Sequence, residues 1–164
     1  MRFRLFNEKD ALEVSNVIGR AVRIRDNSGY SDSEIESLAN YYTPENFCKD
    51  AGRKFSYVCL AGRKIIGTGT LRDDEAMAVF IEPEYQRKGI GVKLMNILED
   101  EAVKKGYAKV WLVASLSAVD FYKKLEYLSI GEKYHPSWGK GIIMEKELTA
   151  DKRIIRKSKH VLKG

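Results

Sequence analysis

The residues of this chain best suited to chemistry lie in a short segment between two elements, Gln86–Gly91. An alternating strand pattern ends just before the segment, and a helical pattern begins within it. The first turn of a helix leaves backbone N–H groups without carbonyl partners and carries the positive end of the helix dipole. Gly89 and Gly91 let a ligand approach the backbone closely, and Arg87 and Lys88 add positive charge. The segment therefore predicts an anion-binding site.

Two common phosphate-binding motifs do not fit the glycines of this chain. The dinucleotide fingerprint G-x-G-x-x-G requires a third glycine where Leu94 stands. Gly62 and Gly67 have the spacing of a P-loop, but Thr68 occupies the position that requires lysine. A pair of glycines at a helix start can also serve only to pack the helix against a strand, so the segment must be judged with its neighbours.

The neighbouring residues make the pattern more specific. Gln86–Gly91 resembles the Q/R-x-x-G-x-G/A signature of the GCN5-related N-acetyltransferase (GNAT) superfamily. Ile81–Tyr85 resembles the strand end that precedes this signature in the family, and Val92–Met95 resembles the helix that follows it. Downstream, Ala118–Tyr122 resembles the second family marker, A-x-x-F-Y. The resemblance extends over roughly residues 1–149, with the order of elements in agreement.

The resemblance implies that the chain uses acetyl-CoA as the acyl donor, without a metal ion. In the family the pyrophosphate sits on the backbone amides of the turn, and the pantetheine arm pairs with the strand before it. Extended chains that carry amide groups bind well at strand edges, and a bulge can open the sheet there for the thioester. The implied cofactor-binding residues are Phe80, Ile81, Gln86, Arg87, Lys88, Gly89, Ile90, Gly91 and Ser115, the last replacing an asparagine of many relatives.

Acetyl transfer to an amine needs a neutral nucleophile, whereas an alkylammonium has a pKa of about 10.4. A base, or a water chain leading to one, must therefore take a proton, and an acid must protonate the leaving thiolate. The resemblance implies that Tyr122 faces the coenzyme A sulfur, although an aromatic residue on an amphipathic helix can also be a packed core residue. Glu75 resembles, in strand and spacing, the glutamate base of the histone-acetylating branch. We predict Tyr122 and Glu75 as catalytic residues.

Glu75 also has a simpler interpretation. Together with Asp73 and Asp74 it forms an acidic hairpin turn, and such runs are usually solvated. Glu82 and His135 are weaker candidates for the base. Bringing the two reactants together could supply much of the rate without a strong base.

In this family the first helices and their loop usually shape the acceptor pocket. This region of the chain is rich in side chains that suit a cationic amine through ion pairs or cation–π contacts. They are Tyr30, Asp32, Glu34, Glu36, Tyr41 and Tyr42. The predicted function is transfer of an acetyl group from acetyl-CoA to a primary amine of a small molecule or protein by direct attack. A non-catalytic module that senses acyl-CoA is the alternative.

The periodicity of the sequence predicts one α/β (α+β) domain with a mixed, mostly antiparallel sheet flanked by helices. The predicted order is β-α-α-β-β-β-α-β-α-β-β. Helices are predicted over residues 7–25, 31–42, 87–105 and 118–125. Strands are predicted over residues 2–6, 55–61, 64–71, 75–82, 110–114, 128–134 and 141–148. Pro44 is expected to open a further helical turn.

The charge of the chain is concentrated at its end. Of the formal net charge of +6 over 164 residues, residues 151–164 hold six positive and one negative side chain. A nearly neutral body with a basic tail lacks the charged face of a nucleic-acid-binding domain. We therefore predict an N-acetyltransferase domain over residues 1–149, a basic tail over residues 150–164 and no nucleic-acid partner. The apolar residues of the tail could form a helix face that docks on the body or touches an acidic partner.

Cys48 and Cys59 fit neither a disulfide framework nor a zinc signature. We expect two reduced thiols packed as small hydrophobic residues, with a nucleophilic Cys59 as the alternative. No apolar run approaches the roughly 20 residues of a membrane helix, and the N-terminus lacks the apolar stretch of a signal peptide. The expected protein is cytoplasmic and has no membrane partner, and a homodimer is left open.

Overall fold

The computed structural model describes residues 1–148, and the predicted tail, residues 150–164, lies outside this range. Within it, the strands are β1 (Arg2–Leu5), β2 (Lys54–Ala61), β3 (Lys64–Arg72), β4 (Glu75–Ile81), β5 (Lys109–Ala114), β6 (Leu128–His135) and β7 (Gly139–Glu147). The helices are α1 (Ala11–Ile24), α2 (Asp32–Tyr41), α3 (Pro44–Cys48), α4 (Ile90–Lys104) and α5 (Val119–Lys124). The predicted element order is confirmed, with α3 as the turn expected at Pro44.

All the strands belong to one sheet with the order β1-β2-β3-β4-β5-β7-β6. Neighbouring strands are antiparallel except β4 and β5, which are parallel. The mixed, mostly antiparallel α/β fold predicted from the sequence is therefore confirmed. α1, α2 and α3 share a hydrophobic cluster on one face of the sheet, and α4 and α5 pack on the other face.

The junction of β4 and β5 divides the sheet into two parts. Backbone pairing between them is confined to Glu75 opposite Trp111, near the start of β4. Asp74 reinforces this end, because its carbonyl and its carboxylate accept hydrogen bonds from the Trp111 backbone N–H at 3.1 Å and the indole N–H at 3.0 Å. A register shift between β3 and β4 marks a bulge at Ala78, whose φ is +51°. Beyond these residues β4 and β5 diverge and open a wedge.

Most predicted boundaries lie within two residues of the observed ones, and the local reasons are capping and periodicity. Asn7 and Ser31 each form a capping box, the first on a short 3-10 turn before α1 and the second on α2. The start of α4 was predicted three residues too early. Arg87 and Gly89 have φ values of +59° and +78°, which are incompatible with a right-handed helix.

Among residues 1–148, no helix is long and apolar enough to cross a membrane. Cys48 and Cys59 are free thiols, and burial raises the pKa of both. Cys59 is fully buried in the sheet, in agreement with its predicted role as a packed hydrophobic residue. The cytoplasmic location, the homodimer, the boundary at residue 149 and the lack of a nucleic-acid partner stay predictions.

Candidate active site

The turn before α4 leaves the helix start exposed to a ligand. The N-cap residue is Gly89, which has no side chain to satisfy the first amides. The Lys93 N–H donates to the Gly89 carbonyl at 3.1 Å, so the N–H groups of residues 90–92 have no carbonyl partner within the helix. In contrast, the Ser31 side chain caps α2. The start of α4 thus has the free donors of an anion site.

The two glycines of the turn have different surroundings. A Cβ on Gly89 would meet no atom within 4 Å, so the space outside it is open. A Cβ on Gly91 would lie 3.1 Å from the ring of Phe121. At Gly91 the missing side chain therefore serves close packing of α4 against α5. This differs from the expectation that both glycines open the backbone to a ligand.

Hydrogen bonds hold the turn and the residues before it against the ends of β4 and β3. The Gln86 amide donates to the Ile81 carbonyl at 3.2 Å, and the Glu82 backbone N–H donates to the Ile66 carbonyl at 2.8 Å. Phe80 and Ile81 pair with β3 on one side, while the opposite edge of β4 faces the wedge. Arg87 and Lys88 are exposed, and the Lys88 ammonium lies 5.0 Å from the centre of the Tyr85 ring.

A cavity of about 410 Å³ occupies the wedge and continues to the loops above it. Phe80, Ser115 and Tyr122 line the cavity. Glu75 also lines it, at the junction of β4 and β5. The cavity thus brings together residues that are far apart in the sequence, among them both predicted catalytic residues. The predicted turn residues, Gln86–Gly91, lie outside its lining.

Tyr122 is a buried phenol at the cavity wall. Its side chain packs edge-on against Phe121 and Tyr127, with ring centres 5.0 and 5.8 Å away. Burial raises the pKa of Tyr122 to about 12. The hydroxyl therefore stays protonated at neutral pH and is able to donate a proton.

Glu75 is held by an ion pair at the cavity wall. Its carboxylate accepts a hydrogen bond from Arg72 at 2.8 Å, and 15% of its side chain is exposed. The neighbouring acids have other partners, since Asp73 pairs with Arg53 and Asp74 accepts from Trp111. The three acids therefore do not form one uniformly solvated turn, and only Glu75 of the three lines the cavity.

The two weaker candidates for the base have competing partners. Glu82 is buried and accepts two hydrogen bonds from Arg20, at 2.7 and 3.0 Å, outside the cavity lining. His135 lines the cavity, and its ring stacks on Trp138 with centres 3.4 Å apart. Its Nδ1 accepts a hydrogen bond from the Ser137 N–H at 3.1 Å. The neutral ring therefore carries its proton on Nε2 and has no free acceptor nitrogen.

The aromatic part of the expected acceptor pocket is present, and the acidic part is not. Tyr30, Tyr41 and Tyr42 line the cavity. The three acids of this region, Asp32, Glu34 and Glu36, do not line it. Glu34 caps α2, and Glu36 pairs with Arg23.

The comparisons with known proteins agree with this geometry. Residues 26–148 match the family model of the acetyltransferase (GNAT) domain. The chain belongs to the GNAT acetyltransferase family. The NAA20 catalytic subunit of the N-terminal acetyltransferase B complex from Arabidopsis thaliana is 32% identical over 94 residues, which cover 54% of each chain. The chain spans about half the length of the curated relatives it matches.

Solved GNAT structures share the fold. A GCN5-related N-acetyltransferase from Rhodopseudomonas palustris has a TM-score of 0.84 at 19% identity, covering 90% of this chain and 95% of its own. The PaiA N-acetyltransferase from Thermoplasma acidophilum, solved in complex with coenzyme A, has a TM-score of 0.69 at 22% identity, covering 90% of this chain and all of its own.

Several lining residues were not found from the sequence, and Arg25 is the one with the most distinctive surroundings. Arg25 follows the last turn of α1 and belongs to no GNAT motif that the sequence displays. Its place in the cavity wall depends on the path of the loop after α1, which no local pattern specifies.

Proposed function

We propose that this GNAT protein is an N-acetyltransferase that transfers the acetyl group of acetyl-CoA to a primary amine by direct attack. The observation that carries the proposal is the cavity between the diverging strands. It places a protonated phenol, Tyr122, and a carboxylate, Glu75, on the walls of one space.

The proposed donor site follows the length of the wedge. The pyrophosphate is assigned to the open space outside Gly89, within reach of the amides of residues 90–92 and of Arg87 and Lys88. The pantetheine arm is assigned to the free edge of β4 at Phe80 and Ile81, where an amide-bearing chain can replace the missing strand pairing. Ser115 lines the cavity on the opposite strand side. This path directs the thioester toward Tyr122.

In the proposed reaction the amine nitrogen attacks the thioester carbonyl carbon and the carbon–sulfur bond breaks. The Tyr122 hydroxyl gives its proton to the leaving thiolate. The proton lost by the amine goes to Glu75, directly or through water. Arg72 donates a hydrogen bond to one oxygen of Glu75 and so orients this carboxylate at the cavity wall. No metal ion takes part in these steps.

The alternative is a module that senses acyl-CoA without turning it over. Such a module needs the turn at Gln86–Gly91 and the wedge, but it does not need a phenol and a carboxylate on the walls of the same cavity. The presence of both groups favours the enzyme. The Arabidopsis relative is the catalytic subunit of an N-terminal acetyltransferase complex, which supports a protein amine among the acceptors to be tested.

Acetyl-CoA should stabilise the protein, and Gly89→Val should remove this effect. Ligand at a hundredfold excess over its Kd adds about 2.7 kcal/mol to the free energy of unfolding. A branched side chain at residue 89 would occupy the open phosphate space. The rise in Tm measured with and without acetyl-CoA tests the assignment, with free coenzyme A release from a panel of amines as the test of turnover.

Gly106→Val is the matched control. Gly106 also has a positive φ, +86°, and open space around its Cβ position, so valine strains the backbone equally at both sites. We expect both variants to be less stable than wild type, and only Gly89→Val to lose the response to acetyl-CoA. A full response in Gly89→Val would show that the phosphate site lies elsewhere.

A further inference from the structure

The charges that line the cavity are mostly positive. Arg25, Arg72, Lys133 and Lys140 are its basic residues, and Glu75 is its one carboxylate among residues 1–148. Arg72 pairs with Glu75, and Lys140 pairs with Glu132 at 2.8 Å. An acceptor that carries several positive charges would meet a repulsive surface here.

Arg25 is held in this wall by a hydrogen bond and an aromatic contact. Its Nε donates to the Asn27 side-chain oxygen at 2.8 Å, and the Asn27 amide donates to the Val22 carbonyl at 2.9 Å. The guanidinium lies 5.5 Å from the centre of the Tyr30 ring. The Tyr30 hydroxyl in turn donates to the Lys140 carbonyl at 2.6 Å and accepts from the Leu116 N–H at 3.1 Å. One side of the guanidinium is therefore fixed by polar and aromatic contacts.

The other side of the Arg25 guanidinium has no such partner in the part of the chain that the structure describes. No carboxylate of residues 1–148 forms an ion pair with it, and its two terminal nitrogens donate to no group in that range. Burial consequently lowers the pKa of Arg25. A guanidinium that is oriented, partly desolvated and left with free donors has the geometry to bind a carboxylate with two parallel hydrogen bonds.

We propose that the acceptor of this enzyme carries an anionic group, a carboxylate, which Arg25 binds while the amine lies toward Glu75. This inference rests on the proposed function and narrows its substrate class. Lys133, which also has no carboxylate partner among residues 1–148, adds positive charge at the exposed side of the cavity. Polyamines and aminoglycosides, which have several cations and no carboxylate, are poor acceptors.

The test compares acceptors that differ only in the carboxylate. The full-length protein is assayed with the tripeptide amide Ala-Asp-Gly, with its versions carrying asparagine or lysine in second position, and with spermidine. γ-Aminobutyrate against butylamine tests the same carboxylate in a free amino acid. We expect kcat/KM about tenfold higher or more for the acidic member of at least one pair, since charge-assisted hydrogen bonds exceed neutral ones.

Arg25→Gln should remove this preference, leaving acidic and neutral acceptors within about twofold of each other. Arg25→Lys should restore part of it, because the charge remains without the planar pair of donors. Arg23→Gln is the matched control. It makes the same change two residues earlier, at an exposed residue of α1 that is paired with Glu36, and it should keep the wild-type preference.

A binding measurement separates this inference from the proposed function. Calorimetry with the tripeptides in the presence of coenzyme A, which has no acetyl group to transfer, measures recognition alone. Tighter binding of the acidic peptide without turnover of any acceptor would support the anion site and refute the enzyme. Equal or undetectable binding of both members in each pair, with γ-aminobutyrate and butylamine titrated in the same way, would overturn the anion site, and so would a preference that survives Arg25→Gln. If neutral amines were still acetylated, the proposed acetyltransferase function would stand without the anion site.

Discussion

Two basic side chains on opposite faces of the sheet are held in opposite ways. On the α4 face, the Lys146 ammonium binds both Glu99 oxygens at 3.0 and 3.1 Å, and the Tyr127 hydroxyl donates to the same carboxylate at 3.2 Å. On the α1 face, Arg25 contacts Asn27 and Tyr30 but no carboxylate of residues 1–148. The charge of Lys146 is thus paired within the protein. The protein fixes the orientation of Arg25 but supplies no carboxylate for it among residues 1–148.

The difference separates a structural cation from a recognition cation. A buried ion pair must be completed within the protein, because an isolated buried charge is very costly. A cation at a cavity wall keeps part of its contact with solvent, so it can remain without an anionic partner until a ligand supplies one. The surroundings of a charge, more than its residue type, therefore indicate its role.

The largest effect on stability is expected for Lys146→Met. This change keeps the aliphatic stem but removes the ammonium from a carboxylate whose side chain is only 2% exposed. Loss of one partner of a buried pair costs about 3–5 kcal/mol, measured as the free energy of unfolding in urea. Adding Glu99→Gln should recover part of the loss, since no ionised carboxylate then remains buried there.

Arg25→Gln is the counterpart of Lys146→Met in the same assay. It should lower the free energy of unfolding by only about 0.5–1.5 kcal/mol, because the hydrogen bond to Asn27 is lost but no ion pair is broken. A loss as large as that of Lys146→Met would show that Arg25 is also a structural cation.

A smaller energetic effect, confined to catalysis, is expected for Tyr122→Phe. Removal of the hydroxyl should lower kcat by about 10²-fold and leave acetyl-CoA affinity unchanged, because general acid catalysis is lost while the ring still packs. The pKa of about 12 predicts that wild-type kcat shows no loss from Tyr122 ionisation up to about pH 10. Tyr134→Phe, at an exposed tyrosine outside the cavity, is the control. Full activity in Tyr122→Phe would mean that another group protonates the thiolate.

The smaller of the two catalytic effects is expected for Glu75→Gln and depends on pH. At about pH 6.5 the loss in kcat/KM should be about tenfold, because the amine is still protonated and needs a base. The deficit should shrink as pH rises toward the amine pKa, about 8 for an α-amine. Asp73→Asn, which alters a neighbouring acid paired with Arg53, is the control. An unchanged pH profile in Glu75→Gln would exclude this carboxylate as the base.

Much of the fold follows from local sequence. The helix predicted over residues 31–42 begins where Ser31 and Glu34 form a capping box, which satisfies amides within four residues of the chain. The alternating strands were found within two residues of their ends. The turn at Gln86–Gly91 was recognised because its motif is contiguous, and the marker at Phe121 and Tyr122 pointed to a residue that the structure shows as a buried phenol.

What was missed depends on contacts between distant segments. Arg87 is not a glycine, so nothing local predicted its positive φ or the later start of α4. The acids Glu34 and Glu36 were expected to serve the acceptor, but the packing of α2 turns them to Ser31 and Arg23. Arg25 was overlooked because its role arises from Asn27, Tyr30 and strands far along the chain.

The bulge at Ala78 has a consequence for how the cavity can change. A non-glycine residue in the left-handed region costs about 1–2 kcal/mol, so Ala78 stores conformational strain at the cavity floor that the surrounding core offsets. A β-branched side chain would increase this cost, and few residue types suit the position. Arg25 and Tyr42 have negative φ values, −58° and −85°, so replacing their side chains adds no left-handed backbone strain. Substitutions that change acceptor specificity are therefore expected at wall residues such as Arg25 and Tyr42, whereas few substitutions are expected at Ala78.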